Sequence, residues 1–442
     1  MARFCKTLAS KFRSAALAPL ALLIVIAPVS AVEIQTVRSE QGIEAWLVED
    51  HTVPLIAVNF SFDGGAAQDP ENREGLTRLL ASILDEGAGD LDSQAFQARM
   101  EELAISIGFN TGKDRFYGSL RTLVATRDEA FDLLRLSVTA PRFDEEAVER
   151  MKAQLAVGVR RRAQDPDSIA SRRFSKSLLG DHPYANPTDG TEESLITLRS
   201  EDLADQKQRI FARSGLKIGV VGAIDAKTLA PLLDKVFATL PSNGDLQVVI
   251  DVDPVPGENI RETLPVPQTT LMFGLPGLKR DDPDYQAAFV MNHILGGGSF
   301  TSWLYEEVRE KRGLTYGVST SLAPYEHMGL IIGSVATRAD RADETMNVIL
   351  EQIERMASEG PTQEELDAAK RYLTGSYALR FDGSGKIARQ LVALQNAGLG
   401  IDYFDIRNSE IEAISLDDIH RVADRLLAQK IPTVISVGPA MN

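Results

Sequence analysis

The stretch Leu295–Ser319 reads LGGGSFTSWLYEEVREKRGLTYGVS and joins a glycine-rich turn, a helix and the start of a strand. Three consecutive glycines favour a tight turn, because glycine adopts backbone conformations that other residues avoid. A helix is predicted from about Ser299, with Leu304 and Val308 on one face at a spacing of four residues. Gly313 suits the left-handed position that follows a helix, and the residues after it predict a strand. The stretch therefore predicts a turn–helix–strand unit.

The same order of elements occurs twice in the chain. The pairs Asp69-Pro70 and Asp282-Pro283 each follow an apolar stretch and precede a helical pattern, and they lie 213 residues apart. The predicted N-cap residues Ser200 and Ser415 each open a helix that leads to a strand, and they lie 215 residues apart. Two landmarks at nearly one spacing indicate a tandem domain duplication.

This repeat sets the expected domain boundaries. We expect a signal peptide at residues 1–31, a first domain at 32–240, a linker at 241–259 that is rich in Pro, Gly and Asp, and a second domain at 260–442. Long amphipathic helices such as Asp144–Arg162 accompany strands that partly follow one another directly. The predicted fold class is α+β, with a largely antiparallel sheet flanked by helices in each domain.

Residues 1–31 have the features of a secretory signal peptide. A basic start without acidic residues precedes an apolar run at 15–26 and small residues at positions 29 and 31. A membrane anchor is the alternative, but about 12 residues span only about 18 Å of a hydrocarbon core about 30 Å thick. Cys5 lies in this segment, so the mature chain is expected to lack cysteine, to be free of the membrane and to reside in a bacterial periplasm.

The composition excludes some partners and limits metal chemistry. The 442 residues include 47 Lys and Arg against 63 Asp and Glu, which argues against nucleic acid as a partner. The acidic charge is compatible with two interpretations, attraction of cationic peptides or solubility. No two of the five histidines have the i, i+4 spacing that binds one metal ion on a helix; they are His51, His182, His293, His327 and His420.

The quoted stretch resembles the second-domain signature of the pitrilysin/insulinase family of zinc metallopeptidases. This family of inverted zincins includes the mitochondrial processing peptidase and two-subunit bacterial relatives. The segment 182–194, HPYANPTDGTEES, resembles a first-domain segment of the same family. With the duplication, the resemblance covers residues 32–442. It implies a tandem pair of pitrilysin-type α/β units and peptides or unfolded segments as substrate.

The resemblance implies two catalytic residues in the second domain. In that family an Arg-x6-Tyr pair completes the active site across the cleft, and here the pair falls on Arg309 and Tyr316. A guanidinium and a phenol can donate hydrogen bonds to a peptide carbonyl or to the oxyanion that forms on attack. Gly297, Gly298 and Ser299 of the preceding turn are candidate substrate-binding residues. The alternative is that Arg309 belongs to a charged, solvated helix face and Tyr316 is a half-buried strand residue.

The first domain lacks the metal motif of its catalytic relatives. Those members carry H-x-x-E-H on a helix, in which two His bind zinc and the Glu is the general base. On the corresponding helix here, Arg78 and Ser82 stand at the His positions and Ala81 at the Glu position. The third ligand would fall near residues 157–158, which are Val and Gly. We therefore expect no metal in this chain.

Two functions follow from this combination. The first is a non-zinc-binding subunit of a periplasmic heteromeric metallopeptidase, which supplies Arg309 and Tyr316 to a homologous H-x-x-E-H subunit that holds the Zn ion. On this hypothesis the chain is not a peptidase on its own. The alternative is a non-enzymatic scaffold or peptide-binding protein of the same fold, in which the pair has no catalytic role.

Overall fold

A computed structural model describes residues 33–440, so the predicted signal peptide lies outside the described residues. The first half builds a six-stranded sheet in the order β1-β2-β6-β3-β5-β4, in which only β2 and β6 run parallel to each other. Its strands are β1 (Ile34–Arg38), β2 (Glu44–Glu49), β3 (Leu55–Asp63), β4 (Ser106–Thr111), β5 (Arg115–Leu123) and β6 (Lys217–Gly222).

The second half builds a five-stranded sheet in the order β7-β11-β8-β10-β9, in which only β7 and β11 are parallel. Its strands are β7 (Asn259–Thr263), β8 (Gln268–Pro276), β9 (Thr315–Pro324), β10 (Gly329–Arg338) and β11 (Thr433–Gly438). Both sheets are flanked by helices, so the predicted α+β class with largely antiparallel sheets is confirmed.

Helices cover the sheets in both halves. Those of the first half are α1 (Leu76–Ile83), α2 (Ser93–Glu102), α3 (Arg127–Thr139), α4 (Glu145–Arg162), α5 (Pro166–Leu179), α6 (Glu192–Thr197), α7 (Ser200–Ile210) and α8 (Ala226–Phe237). Those of the second are α9 (Tyr285–Asn292), α10 (Ala342–Ser358), α11 (Gln363–Gly375), α12 (Ser384–Asn396), α13 (Tyr403–Ala413) and α14 (Leu416–Leu427). Among residues 33–440, no helix combines the length and the apolar character needed to cross a membrane.

Two local predictions about helix starts were wrong. Ser415 caps α14 through a reciprocal box with Asp418, as predicted, but α7 is capped by Arg199, whose backbone N–H donates to Asp202. The acid three residues into the helix satisfies the cap position by itself, so the serine is not needed there. The helix expected from Ser299 is instead a short 3₁₀ turn followed by a π-helical turn at Tyr305–Glu310.

The two sheets share one unusual cross-strand pair. Phe60 on β3 lies opposite Gly118 on β5, and Phe273 on β8 lies opposite Gly333 on β10. In each case the ring covers the glycine so closely that a Cβ atom would overlap it. Glycine at these positions lets the ring lie flat over the neighbouring strand, which fills the core without a competing side chain. The repeat is thus also visible in the packing.

The halves exchange one helix each. Helix α5 of the first half packs on β8 and β11 of the second sheet, and α12 of the second half packs on β3 and β6 of the first. Phe174 on α5 joins a buried cluster with Leu330, and Leu391 on α12 joins one with Val221. These clusters contain residues from both halves, so each sheet depends on a helix from the other half for one of its covered faces.

Candidate functional site

Helix α1 carries the residues that stand at the metal-motif positions. Arg78 Nη1 donates to Asn110 Oδ1 on β4 at 2.9 Å, and its Nε lies 3.3 Å from Asp189 Oδ1. The Ser82 hydroxyl donates back to the Leu79 carbonyl at 2.9 Å, and Ala81 is buried. A guanidinium repels a cation, and the remaining side chains offer no imidazole or carboxylate. The residues on this helix therefore do not fit a zinc ion.

An ion pair also lies beside the position where the third metal ligand of the family would fall. Gly158 on α4 faces the guanidinium of Arg162, which lies 3.2 Å from Asp189 Oδ2. The Asp189 carboxylate thus bridges Arg78 and Arg162, and it links α1 to α4 without a metal. Such partly exposed pairs typically contribute at most about 1 kcal/mol each. Within residues 33–440, no group of three or more His, Cys, Asp or Glu side chains is placed to hold a metal ion.

A buried carboxylate holds the start of this helix. Asp69 accepts hydrogen bonds from the backbone N–H groups of Gly75 and Thr77, both at 2.8 Å. Burial raises the pKa of Asp69 to about 6, although these hydrogen bonds oppose the shift. Burial also lowers the pKa of the nearby Lys113 to about 8. Lys113 donates a hydrogen bond to the Asn186 carbonyl, so the side chains of Asp69 and Lys113 connect loops of the first half.

The glycine-rich turn of the second half packs against β9. A Cβ atom on Gly296 would overlap Thr320, and one on Gly298 would lie 2.7 Å from the His293 carbonyl oxygen. The glycines are therefore required by close packing. Gly297 and Ser299 are exposed, and Ser299 has a φ of 48°. The substrate-binding role of Gly297, Gly298 and Ser299 stays a prediction.

The predicted catalytic pair lies on the surface of the second half. The Arg309 guanidinium lies 4.7 Å from the Tyr305 ring centroid and 3.1 Å from Glu310 Oε1, which orients it. Tyr316 at the start of β9 is 89% exposed. Among the described residues, no hydrogen bond joins Arg309 to Tyr316, and neither lines the large cavity described next. The side chains are accessible, but the chain alone does not enclose them.

A cavity of about 1370 Å³ lies between the two halves. One wall comes from β4 and β5 of the first sheet. The opposite wall comes from residues 279–289 and from the helical region 377–407 of the second half. The cavity is larger than the roughly 300–1,000 Å³ usual for small-molecule pockets, so it has room for a peptide segment.

Sequence reasoning missed the basic residues of this cavity. Arg280, Arg380, Arg389 and Arg407 all line the wall formed by the second half. They come from four separate segments, the turn before α9, a 3₁₀ turn at Tyr377–Phe381, α12 and α13, and form no local motif, so their proximity depends on the tertiary fold. The available signal was weaker: Arg380, Arg389 and Arg407 have no acid four residues away in an otherwise acidic chain, although Arg280 does have Asp284 at that spacing.

Two family models match the chain. The one described as insulinase (peptidase family M16) matches residues 45–192, and the one described as peptidase M16 inactive domain matches residues 197–373. A Helicobacter pylori relative named non-peptidase homolog YmxG is 26% identical over 84% of this chain and 86% of its own length. A Bacillus subtilis relative named as a zinc protease, YmxG, is 22% identical over 91% of this chain and 98% of its own.

Solved structures agree with these matches. The crystal structure of a peptidase M16 inactive domain from Pseudomonas fluorescens aligns with a TM-score of 0.87 and 30% identity, and it covers 92% of this chain and 98% of that one. A Helicobacter pylori protease aligns with a TM-score of 0.82 at 16% identity, over 92% of this chain and 99% of that one, which supports the fold alone. The chain therefore belongs to peptidase family M16, as an inactive member.

Proposed function

We propose that the chain is the zinc-free subunit of a heteromeric M16 metallopeptidase that acts in the periplasm. One observation carries the proposal: the metal-motif positions are taken by an Arg78–Asp189 ion pair, while Arg309 and Tyr316 remain accessible on the second half. Tyr316 is 89% exposed, so its hydroxyl is accessible to a peptide or to a partner chain. The homologous partner subunit carries H-x-x-E-H and the Zn ion.

In this proposal Arg309 and Tyr316 act on a peptide held between the subunits. The ring of Tyr305 under Arg309 limits the freedom of the guanidinium, so less entropy is lost when it binds a carbonyl oxygen. The Tyr316 hydroxyl is a second donor for the same oxygen. Donors that are already oriented stabilise the oxyanion more than the ground-state carbonyl, and this difference accelerates hydrolysis. Gly297, Gly298 and Ser299 offer backbone groups to the same peptide.

Binding of a partner subunit would also account for the exposed aromatic side chains of the second half. Phe300 is 76% exposed, and its ring lies 4.9 Å edge-on from that of Tyr305. With Tyr316, it places two exposed aromatic rings close in sequence to Arg309. Aromatic residues and arginine are enriched in protein interfaces. A homologous subunit that covers this surface would remove water from the pair and strengthen its hydrogen bonds.

The second candidate is a scaffold or peptide-binding protein without a part in catalysis. Arg309 already pairs with Glu310 at 3.1 Å, and the Helicobacter pylori relative is named a non-peptidase homolog. In that case the cavity between the halves is the functional site, and Arg309 and Tyr316 contribute only to the surface.

Co-expression with an H-x-x-E-H member of the family from the same genome tests the proposal. The expected result is a stable complex that cleaves peptides, and Arg309→Ala lowers kcat by about 10²–10³ while the complex still forms. Arg338→Ala is the matched control, because Arg338 is an exposed arginine of the same half whose partner is Asp340. Unchanged turnover for both Arg309→Ala and Tyr316→Phe leaves the scaffold function instead.

A further inference from the structure

The cavity between the halves concentrates basic side chains in an acidic protein. Seven basic and three acidic side chains line it, whereas the whole chain has 47 basic and 63 acidic residues. A cavity lined by one sign of charge focuses the electrostatic field and attracts ligands of the opposite sign. The net charge of the cavity lining thus differs in sign from the net charge of the whole chain.

On the wall from the first half, the basic side chains already have partners. Arg115 pairs with Asp63 and, at 3.0 Å, with Glu326. Lys113 donates to the carbonyl of Asn186. Two carboxylates neutralise the charge of Arg115, and the carboxylates of Asp69 and Asp114 attract Lys113, so this wall does not carry uncompensated positive charge.

The wall from the second half is different. Four arginines line it, and we call them the arginine wall: Arg280, Arg380, Arg389 and Arg407. Within residues 33–440, none of the four lies within ion-pair distance of a carboxylate. Most other arginines of the described chain do have such a partner, as in the Arg421 and Arg425 pairs with Asp284. The arginine wall is therefore an accumulation of uncompensated charge.

Aromatic side chains hold two of these arginines in place. Arg280 donates to the Tyr403 hydroxyl at 2.8 Å and lies 4.4 Å from the Tyr285 ring centroid. Arg407 lies 4.0 Å from the Tyr377 ring centroid and donates to the Leu373 carbonyl at 3.2 Å. Cation–π contacts of this kind orient a guanidinium but leave its positive charge without a counter-ion.

Arg407 shows that this charge has an energetic cost. It is only 4% exposed, and burial lowers the pKa of its guanidinium. Repulsion from Arg380 and Arg280 acts in the same direction, whereas the nearby phenol groups of Tyr377 and Tyr403 oppose it. A buried charge without an ion partner is unfavourable, and the protein retains three neighbouring cations here. An anionic ligand would remove this penalty.

The buried hydroxyl of Tyr377 is a second, independent indication that a ligand with acceptor oxygens binds here. Tyr377 lines the cavity, is 6% exposed, and its hydroxyl has no hydrogen-bond partner among the described residues. A buried hydroxyl without a partner is uncommon in folded proteins. A ligand oxygen that lies between Arg407 and Tyr377 would accept hydrogen bonds from both.

We propose that the arginine wall binds the carboxylates of an acidic peptide in the cavity. The inference rests on the proposed function in one respect, the peptide nature of the ligand. The carboxylates come from Asp and Glu side chains or from a free C-terminus, since both present the same two oxygens to a guanidinium fork. The aromatic rings beside the arginines add apolar contacts that suit a peptide better than a small inorganic anion.

Fluorescence anisotropy with the purified full chain, without a partner subunit, tests this. The probes are a dye-labelled peptide with four Glu residues, its twin with four Gln residues, and each of them as the C-terminal acid and amide. The Glu peptide is expected to bind at least tenfold more tightly, with an affinity that falls as salt increases. Arg280→Gln should weaken its binding by about 10- to 100-fold. Arg172→Gln is the control, because Arg172 is exposed on α5 away from the cavity.

Tyr377→Phe separates ligand binding from a structural role. Removal of an unpartnered hydroxyl should leave the thermal stability of the free chain unchanged or raised, yet weaken the Glu peptide about two- to tenfold. A preference for the acid over the amide would assign the site to the C-terminal carboxylate. Equal affinity for all four peptides, Glu and Gln and acid and amide alike, unchanged affinity in Arg280→Gln, or binding of anionic vesicles without any peptide binding would each overturn the inference. Loss of the complex with an H-x-x-E-H subunit would refute the proposed function and leave this binding intact.

Discussion

Phe174→Ala is the most direct test of the helix exchange between the halves. Phe174 belongs to the first half by sequence, but it is 2% exposed and packs in a cluster with Ile435 and Val437 on β11 of the second sheet. Its ring also lies over Gly274 on β8, where a Cβ atom would overlap it. Truncation therefore opens a cavity under the second sheet.

The expected loss is about 3–5 kcal/mol in the free energy of unfolding, the usual range for a buried phenylalanine. The Gly274 contact favours the upper part of this range, because a glycine has no side chain that could move into the space. Urea denaturation measures the total loss. Hydrogen exchange under native conditions locates it, and the expected loss of protection is in Gln268–Pro276 and Thr433–Gly438.

Phe131→Ala is the matched control. Phe131 on α3 is 1% exposed and lies in the core of the first half, so a similar total loss is expected with the change confined to that half. If Phe174→Ala instead exposes amides of the first sheet while β8 and β11 remain protected, the exchange of helices is refuted.

Three further predictions concern packing, pH and metal content. Gly333→Ala places a Cβ atom into the Phe273 ring and should lower the free energy of unfolding, measured by urea denaturation, by about 1–3 kcal/mol. Gly385→Ala is the control, because Gly385 on α12 has open space around it, and this change should be neutral or stabilising. Hydrogen bonds from the Ser415 hydroxyl, the Arg421 guanidinium and the Ser415 backbone N–H lower the pKa of Asp418 to about 2. The stabilisation by this carboxylate is present above pH 4 and is lost as the pH falls toward 2, so Asp418→Asn should be less stable at pH 7 and show a smaller drop in Tm between pH 6 and pH 3. The purified chain should contain far less than one zinc per molecule by elemental analysis, and stoichiometric zinc would contradict the interpretation of α1.

The missing metal motif and the helix-ending glycine were predictable because each depends on residues that are close together along the chain. The absence of H-x-x-E-H depends only on which residues stand at i and i+4 of one helix, and the structure confirms that Arg78 and Ser82 share α1. Gly313 has the expected positive φ of 60° at the end of its helical segment. The start of that segment was predicted wrongly because the chain forms a 3₁₀ turn and then a π-helical turn there, and a sequence period does not distinguish these from an α-helix.

The sequence by itself determined the duplication, the α+β class and the loss of the metal motif, because each depends on residues at a fixed spacing along the chain. Only the tertiary structure decided which helix covers which sheet, since α5 and α12 have the same amphipathic character whichever half they cover. It also decided the arginine wall, because Arg280 and Arg407 are 127 residues apart and become neighbours only when the second half folds. Packing over long sequence separations, rather than local pattern, builds the cavity and sets its charge.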